Sequence, residues 1–287
     1  MSKWIMFILL VLALVTIACG ITINLPVTDI KTGAEVTEKI TVPLPQDISK
    51  VTHLQISFGA GEIKLAPGAE NALISGTATY NVKDLKPEIT VDEDRVSIES
   101  GNLDINGIPE ISKDFKNEWD LKLASVPIDL KVSAGGYKGR LELGGLALQA
   151  LEITEGASEA LIKFSEPNLA EMDSFLYTTG ASNVELRGLA NANFENMSIK
   201  SGAGSYTLDF SGELKRDATV TIDSGMSSLK IIIPEGVSAR VFVDSVLSNV
   251  DLGGEWEKVG DQYVMGGDGP TLTINVNMAA GSLELSN

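Results

Sequence analysis

Apolar residues fall at every second position along most of this chain, in short runs, and the runs come in pairs around a glycine. The first pair is Leu54 and Ile56, then Gly59 and Gly61, then Ile63 and Leu65. Later first runs are Leu130/Val132, Leu151/Ile153, Phe175/Tyr177, Met197/Ile199, Val220/Ile222, Val241/Val243 and Ile274/Val276. Their second runs are Leu141/Leu143, Ala160/Ile162, Val184/Leu186, Tyr206/Leu208, Leu229/Ile231, Val250/Leu252 and Leu283/Leu285. Alternation at period two predicts strands with one buried face. The two runs stand seven positions apart in every unit but the second, where the gap is nine. Between Val132 and Val243 the units recur every 21 to 24 residues. A unit this short cannot bury its apolar face alone, so the copies must stack. The expectation is an all-β, single-domain β-solenoid of two-strand coils joined by Gly-rich turns. Gly202 and Gly225 are expected to hold turn conformations that suit glycine.

Residues 66–129 break the rhythm. "ALISGTATYNV", "PEITVD", "RVSIES" and "EWDLKL" read as strands, and "GNLDINGIPEISKDFKN" as a polar loop. Residues 46–129, first repeat included, are therefore expected to form an N-terminal β cap, and residues 130–287 the repeat stack. "GGEWEKVGDQYVMGGDGP", residues 253–270, reads as a hairpin-like insertion. Conventional helix is scarce, with at most one helical turn in "SEPNLAEMDS".

The first 25 residues follow another rule. Lys3 precedes an apolar run over residues 4–18, and then comes Cys19 after Ala18. This reads as a secretory signal over residues 1–18, with an anchor and spacer over residues 19–45. A small residue directly before a cysteine resembles the lipobox of bacterial lipoproteins, although Thr16 stands where leucine is usual. The resemblance implies lipidation of Cys19, which would become the mature N-terminus. The other reading is an uncleaved membrane helix, since the apolar run reaches Leu25 and about 20 residues span a bilayer. Both readings place the rest of the chain outside the cytoplasm and tethered to the membrane.

Charge and composition remove several functions. A net charge of −17 repels nucleic-acid phosphates, so no nucleic-acid partner is expected. One cysteine and one histidine cannot build a Cys/His zinc site. His53, in "KVTHLQIS", reads as a surface or strand-end histidine. Asp223 and Asp244 occupy the same position of what the repeat makes adjacent coils, where two carboxylates could share a proton. The alternative is a solvated edge of turn-capping aspartates. "GGDG", residues 266–269, reads as a tight turn, since it lacks the repeated aspartates of a calcium loop. No G-x-G window opens a βαβ unit, and no cofactor or metal is expected. A glycan-binding groove would cluster aromatics and carboxylates, and the few aromatics on offer, Trp119, Trp256, Tyr137 and Tyr263, are scattered along the chain.

The residue between the two apolar positions of a first run should face outward. Most are polar: Gln55, Lys131, Glu152, Ser198 and Thr221. Leu176 and Phe242 are the exceptions, and are candidate partner-binding residues. The repeat order puts them three coils apart, about 14 Å along the stack. The competing expectation is that the 253–270 insertion, with Trp256 and Tyr263, covers Phe242, and that the segment after residue 164 covers Leu176.

The phrases "LQISFGAGEIKLAPG", "GTATYNVKDLKPEITV", "NEWDLKL" and "IDLKVSAGGYKGRLELGGL" resemble the bacterial toast-rack domains, including the C-terminal part of LiaF-type proteins of cell-envelope stress systems. The resemblance covers most of residues 46–287. It implies a β-solenoid and association with the envelope, and it implies no catalytic residues. The functional expectation is a membrane-tethered, non-enzymatic sensor, scaffold or adhesion module at the outer face of the membrane. Its partners would be the membrane, through Cys19, and an envelope protein or glycan. The alternative is a glycan-binding or glycan-cleaving β-solenoid.

Overall fold

The computed structural model describes residues 27–101, 108–110 and 112–287. Cys19 and the 1–18 signal segment lie outside the described residues. In chain order the strands are β1 (Val27–Asp29), β2 (Val36–Val42), β3 (Thr52–Pro67), β4 (Ile74–Tyr80), β5 (Pro87–Asp92), β6 (Arg95–Ser100), β7 (Ile108–Glu110), β8 (Asn117–Leu123), β9 (Pro127–Glu142), β10 (Ala147–Lys163), β11 (Met172–Arg187), β12 (Phe194–Asp209), β13 (Ala218–Ile232), β14 (Gly236–Leu252), β15 (Glu257–Val259), β16 (Gln262–Met265) and β17 (Gly267–Ser286). Two short 3-10 helices, Lys83–Leu85 and Leu189–Ala192, are the only helical segments among the described residues. β1 and β7 make a two-stranded parallel sheet by themselves. The other strands form one 15-stranded sheet.

The spine of that sheet is a parallel ladder in the order β3-β9-β10-β11-β12-β13-β17-β14. Its register aligns the repeat found in the sequence. Leu54, Leu130, Leu151, Phe175, Met197, Val220, Ile274 and Val241 form one continuous column across the ladder. All eight are buried. A second column runs through Leu65, Leu141, Ile162, Leu186, Leu208, Ile231 and Leu285, also buried. The two columns belong to one core cluster. The fold is all-β and solenoid-like, as the repeat and its family resemblance led one to expect.

The structure corrects the coil itself. Each pair of short strands and its Gly-rich turn is one continuous strand running straight through the glycine. Residues seven apart on a flat strand face opposite sides, because side chains alternate. Yet Tyr177 and Val184 are both buried, as are Ile199 and Tyr206. The strand reconciles this by bending at its middle, where two consecutive residues, Gly180 and Ala181 in β11, both face outward and the inward parity switches while the register with the neighbouring strands is kept. Tyr177 and Thr179 face in before the bend; Ser182, Val184 and Leu186 face in after it. The bend gives each strand two arms that enclose the core.

The glycines serve this bend by close approach rather than by a left-handed conformation. Gly202 and Gly225 are absent from the positive-φ residues. A Cβ on Gly202 would stand 2.5 Å from the carbonyl oxygen of Gly180, and one on Gly225 would stand 2.5 Å from that of Gly202. The column continues through Gly59, Gly135, Gly156 and Gly180, each facing the carbonyl of the glycine before it from Gly135 onward. The exceptional nine-residue spacing is explained by the same geometry. Gly139 occupies the inward slot where the other copies carry an apolar residue, in register with Ile63 and Ala160. The Tyr137 ring fills that space, standing where a Cβ on Gly139 would come within 2.5 Å.

Chain order fails near the end of the stack. The last strand, β17, inserts between β13 and β14. Within the 253–270 segment β15 and β16 form a hairpin, which pairs antiparallel with the first arm of β14 at Ala239–Phe242 and closes that edge, while the segment's last four residues already belong to β17. β17 therefore returns along the inner side of β14. "GGDG" is no tight turn: Gly267 opens β17 and pairs with Gly236. At the opposite end the sheet divides. The first arm of β3 pairs with β6, and β6 with β5; the second arm pairs with β8, followed by β4 and β2. "SEPNLAEMDS" carries no helical turn.

Candidate functional site

Polar side chains fall into two populations, one sealed inside the bend and one spread over the outer faces. Inside the bend, Glu155 is 4% exposed. Its carboxylate accepts hydrogen bonds from the Tyr137 hydroxyl at 2.6 Å and from the hydroxyls of Tyr177 and Ser158. The seam extends along the stack. Ser182 bonds the Ser158 amide at 2.9 Å and shares a hydroxyl contact with Thr179 at 2.6 Å. Further on, Ser224 meets Ser201 at 2.9 Å and Ser227 at 2.6 Å. Burial, then the Glu155 charge and hydrogen bond, pushes the hydroxyls of Tyr137 and Tyr177 well above the usual tyrosine range. Burial likewise raises Tyr206. These groups satisfy one another. The sequence did not single out Glu155; its trace there is the nine-residue spacing and Gly139, which mark a side chain turned into the bend.

The outer face of the first arms carries the sequence-derived candidates. Leu176 is 43% exposed and Phe242 is 40% exposed, so neither is covered as the competing expectation had it. Leu176 stands in a groove of about 570 Å³ that also includes His53, Arg95, Asp129, Lys131 and Glu152. Two cross-strand pairs brace this groove. His53 Nδ1 lies 3.1 Å from Asp129, a contact that becomes an ion pair when the imidazole is protonated, and Lys131 Nζ lies 2.9 Å from Glu152. His53 sits at the start of β3, half exposed, where the sequence put it.

The hairpin leaves Phe242 open because it pairs beside β14 instead of folding over it, with Phe242 opposite Gln262. Trp256 instead joins the core, with Met265. The inserted β17 also changes the distance between the two apolar candidates. They are four ladder steps apart, about 19 Å. Ser198, Thr221 and Asn275 stand between them. They belong to two places, not one patch.

Asp223 and Asp244 are separated in the same way. Asn277 lies between them in the ladder and donates from Nδ2 to Asp223 at 2.8 Å. The adjacent-coil dyad expected from the repeat is therefore not formed. Trp119, Tyr137 and Trp256 are buried, and Tyr263 is partly buried with the Lys258 ammonium 5.3 Å from its ring centre. Among the described residues no group of three His, Cys, Asp or Glu side chains could hold a metal ion.

A family model, the N-terminal domain of toast_rack, matches residues 31–176 and again residues 174–232. No curated protein matches the sequence. Among solved structures the chain is similar to a candidate cell adhesion protein from Clostridium sporogenes, at 17% identity and TM-score 0.47, over 88% of this chain and 99% of that one. It is similar to a candidate adhesin from Bacteroides fragilis at 8% identity and TM-score 0.37, over 90% of this chain and 99% of that one. It is also similar to a candidate lipid binding protein from Parabacteroides distasonis at 10% identity and TM-score 0.38, over 90% and 99% of the two chains.

Proposed function

The chain belongs to the toast_rack family, and from that membership we propose that it is a non-enzymatic scaffold or adhesion module of the cell envelope, tethered to the membrane through Cys19 and exposed outside the cytoplasm. The observation that carries this reading is the division of polar groups. The acidic and hydroxyl groups buried in the bend are spent on one another, around Glu155. The outer face of the first arms is a long ladder of serine, threonine, asparagine and paired charges, with Leu176 standing free in a groove. An apolar side chain in a groove rimmed by polar groups suits recognition of a partner by contact. An envelope protein or a glycan would dock there.

The test combines lipid labelling with access from outside. In cells, the full chain takes up labelled fatty acid, sediments with membranes and reacts with a membrane-impermeant amine reagent before lysis. Cys19→Ala takes up no label. Reaction of the wild-type lysines only after lysis would overturn the placement. Absence of fatty-acid uptake with retained outside access would leave the membrane-helix anchor in its place.

A further inference from the structure

The last coil of the stack is unfinished on one arm. β14 is the outermost strand of the parallel ladder, and the hairpin covers it only at Ala239–Phe242. Among the described residues its second arm pairs with β17 alone. The Gly253 amide donates to the Leu285 carbonyl at 2.8 Å, which fixes the phase of the ladder. Residues 249 and 251 then point their amides and carbonyls at β17, while Val250 and Leu252 point theirs outward with no strand among the described residues to meet them. The inward column is uncovered at the same place. Leu186, Leu208, Ile231 and Leu285 are fully buried, but Leu252, next in that column, is 46% exposed.

The other outer strands carry guards against pairing. β2 holds Glu38 and Lys39, β5 opens with Pro87 and holds Glu88 and Asp92, and β15 has two charges in three residues. The free stretch Asn249–Leu252 has a single charge, Asp251, and Asn249 already donates to it from Nδ2 at 2.8 Å.

That stretch is complementary to itself. A second copy running antiparallel about a two-fold axis at Val250 makes Val250 and its mate a hydrogen-bonded pair, exchanging both N–H···O bonds. Asn249 then lies opposite Asp251 of the second copy in the closely spaced, non-hydrogen-bonded class of pair, twice by symmetry. The amide that now bonds Asp251 within the strand can bond it across the axis. We propose that residues 249–252 of β14 form a two-fold interface with a second copy of this chain by edge-to-edge strand addition. A short strand pair buries little area, so the dimer is a weak, concentration-dependent one.

The experiment is sedimentation of the full chain in mild detergent across a wide concentration range, with three variants. Wild type is expected to pass from monomer to dimer. Asn249→Lys, which puts a cation opposite Asp251 of the mate, tightens the dimer several-fold. Asn249→Asp sets like charges opposite each other twice and weakens it tenfold or more. Val250→Pro removes an amide that faces outward and abolishes the dimer. A separate check places Val250→Cys in the Cys19→Ser background; a hydrogen-bonded pair has the Cα spacing of about 5.5 Å that a disulfide accepts, so mild oxidation cross-links two chains. A wild type that stays monomeric at every concentration overturns the interface. So does a dimer indifferent to both Asn249 variants, or one that fails to cross-link at position 250.

Discussion

The Gly202 Cα faces the carbonyl oxygen of Gly180 on the neighbouring strand, with room for a Cβ only at 2.5 Å from that oxygen. The same relation joins Gly225 to Gly202 and Gly180 to Gly156. Six glycines thus stack at the bend, and each lets the next strand sit at ladder spacing.

Gly202→Ala and Gly225→Ala should each lower stability by about 2 kcal/mol or more, because the obstructing atom is backbone and cannot turn aside. Gly266→Ala is the control: nothing lies within 4 Å of its Cβ position, and its change should be within about 0.5 kcal/mol. Urea midpoints for the three variants decide. Equal loss at all three sites would mean that backbone freedom, not close approach, is what the glycines provide.

Much of this fold was legible in the sequence because period-two alternation reports burial directly. The columns of the ladder follow the units read from the chain except in the second unit, where Leu141, first of its run, stands in register with Leu65 and Ile162, the second of theirs. The strands of the cap at 74–80, 87–92, 95–100 and 117–123 lie where alternation put them. Two things were hidden. Apolar spacing does not state whether a glycine turns the chain or only bends it, since both bring residues seven apart onto one core. Strand order was hidden too, because β14 and β17 carry the same pattern and only the β15–β16 hairpin on the edge of β14 decides which one is inside. The buried Glu155 was masked by the rule that a charged residue in a strand faces water. Its partners, Tyr137 and Tyr177, come from the strands on either side.

Glu155→Ala should cost about 3 kcal/mol, since it leaves the hydroxyls of Tyr137, Tyr177 and Ser158 buried without their acceptor. Glu155→Gln keeps one carbonyl acceptor and should cost less. Chemical denaturation of both variants measures the difference. If the alanine variant matches wild type, the seam is not holding the bend.

The same seam sets an alkaline limit. Tyr137 and Tyr177 have hydroxyls raised above the ordinary value of 10.0, by burial first and by Glu155 next. Above about pH 10 the unfolded chain loses these protons while the folded chain keeps them, so the unfolded state binds fewer protons and stability falls as pH rises. Each tyrosine so held contributes a slope of up to about 1.4 kcal/mol per pH unit. The melting temperature should be insensitive to these two groups below pH 9 and fall steeply above pH 10. Tyr137→Phe should lower stability near neutrality and flatten the alkaline slope. An unchanged slope in that variant would sink the assignment.

Leu176 and Phe242 should behave as two separate sites. Four ladder steps and the polar side chains of Ser198, Thr221 and Asn275 lie between them, and no apolar surface joins them across this face. Both are more than a third exposed, yet more than half of each is covered, so exchanging either for serine should lower the melting temperature by only a few degrees and leave the fold intact. Leu176 lies in the groove braced by the His53–Asp129 and Lys131–Glu152 contacts, where a partner side chain would be surrounded on several sides. Phe242 lies beside the hairpin, opposite Gln262. If a partner docks in the groove, Leu176→Ser should weaken retention of the full chain on isolated cell envelopes by roughly tenfold, as loss of a central apolar anchor does. Phe242→Ser should then leave retention within about twofold, and the double variant should match Leu176→Ser. Retention lost equally with either residue would show a single partner spanning about 19 Å of the face. Retention lost with Phe242→Ser alone would move the docking site to the hairpin end of the stack.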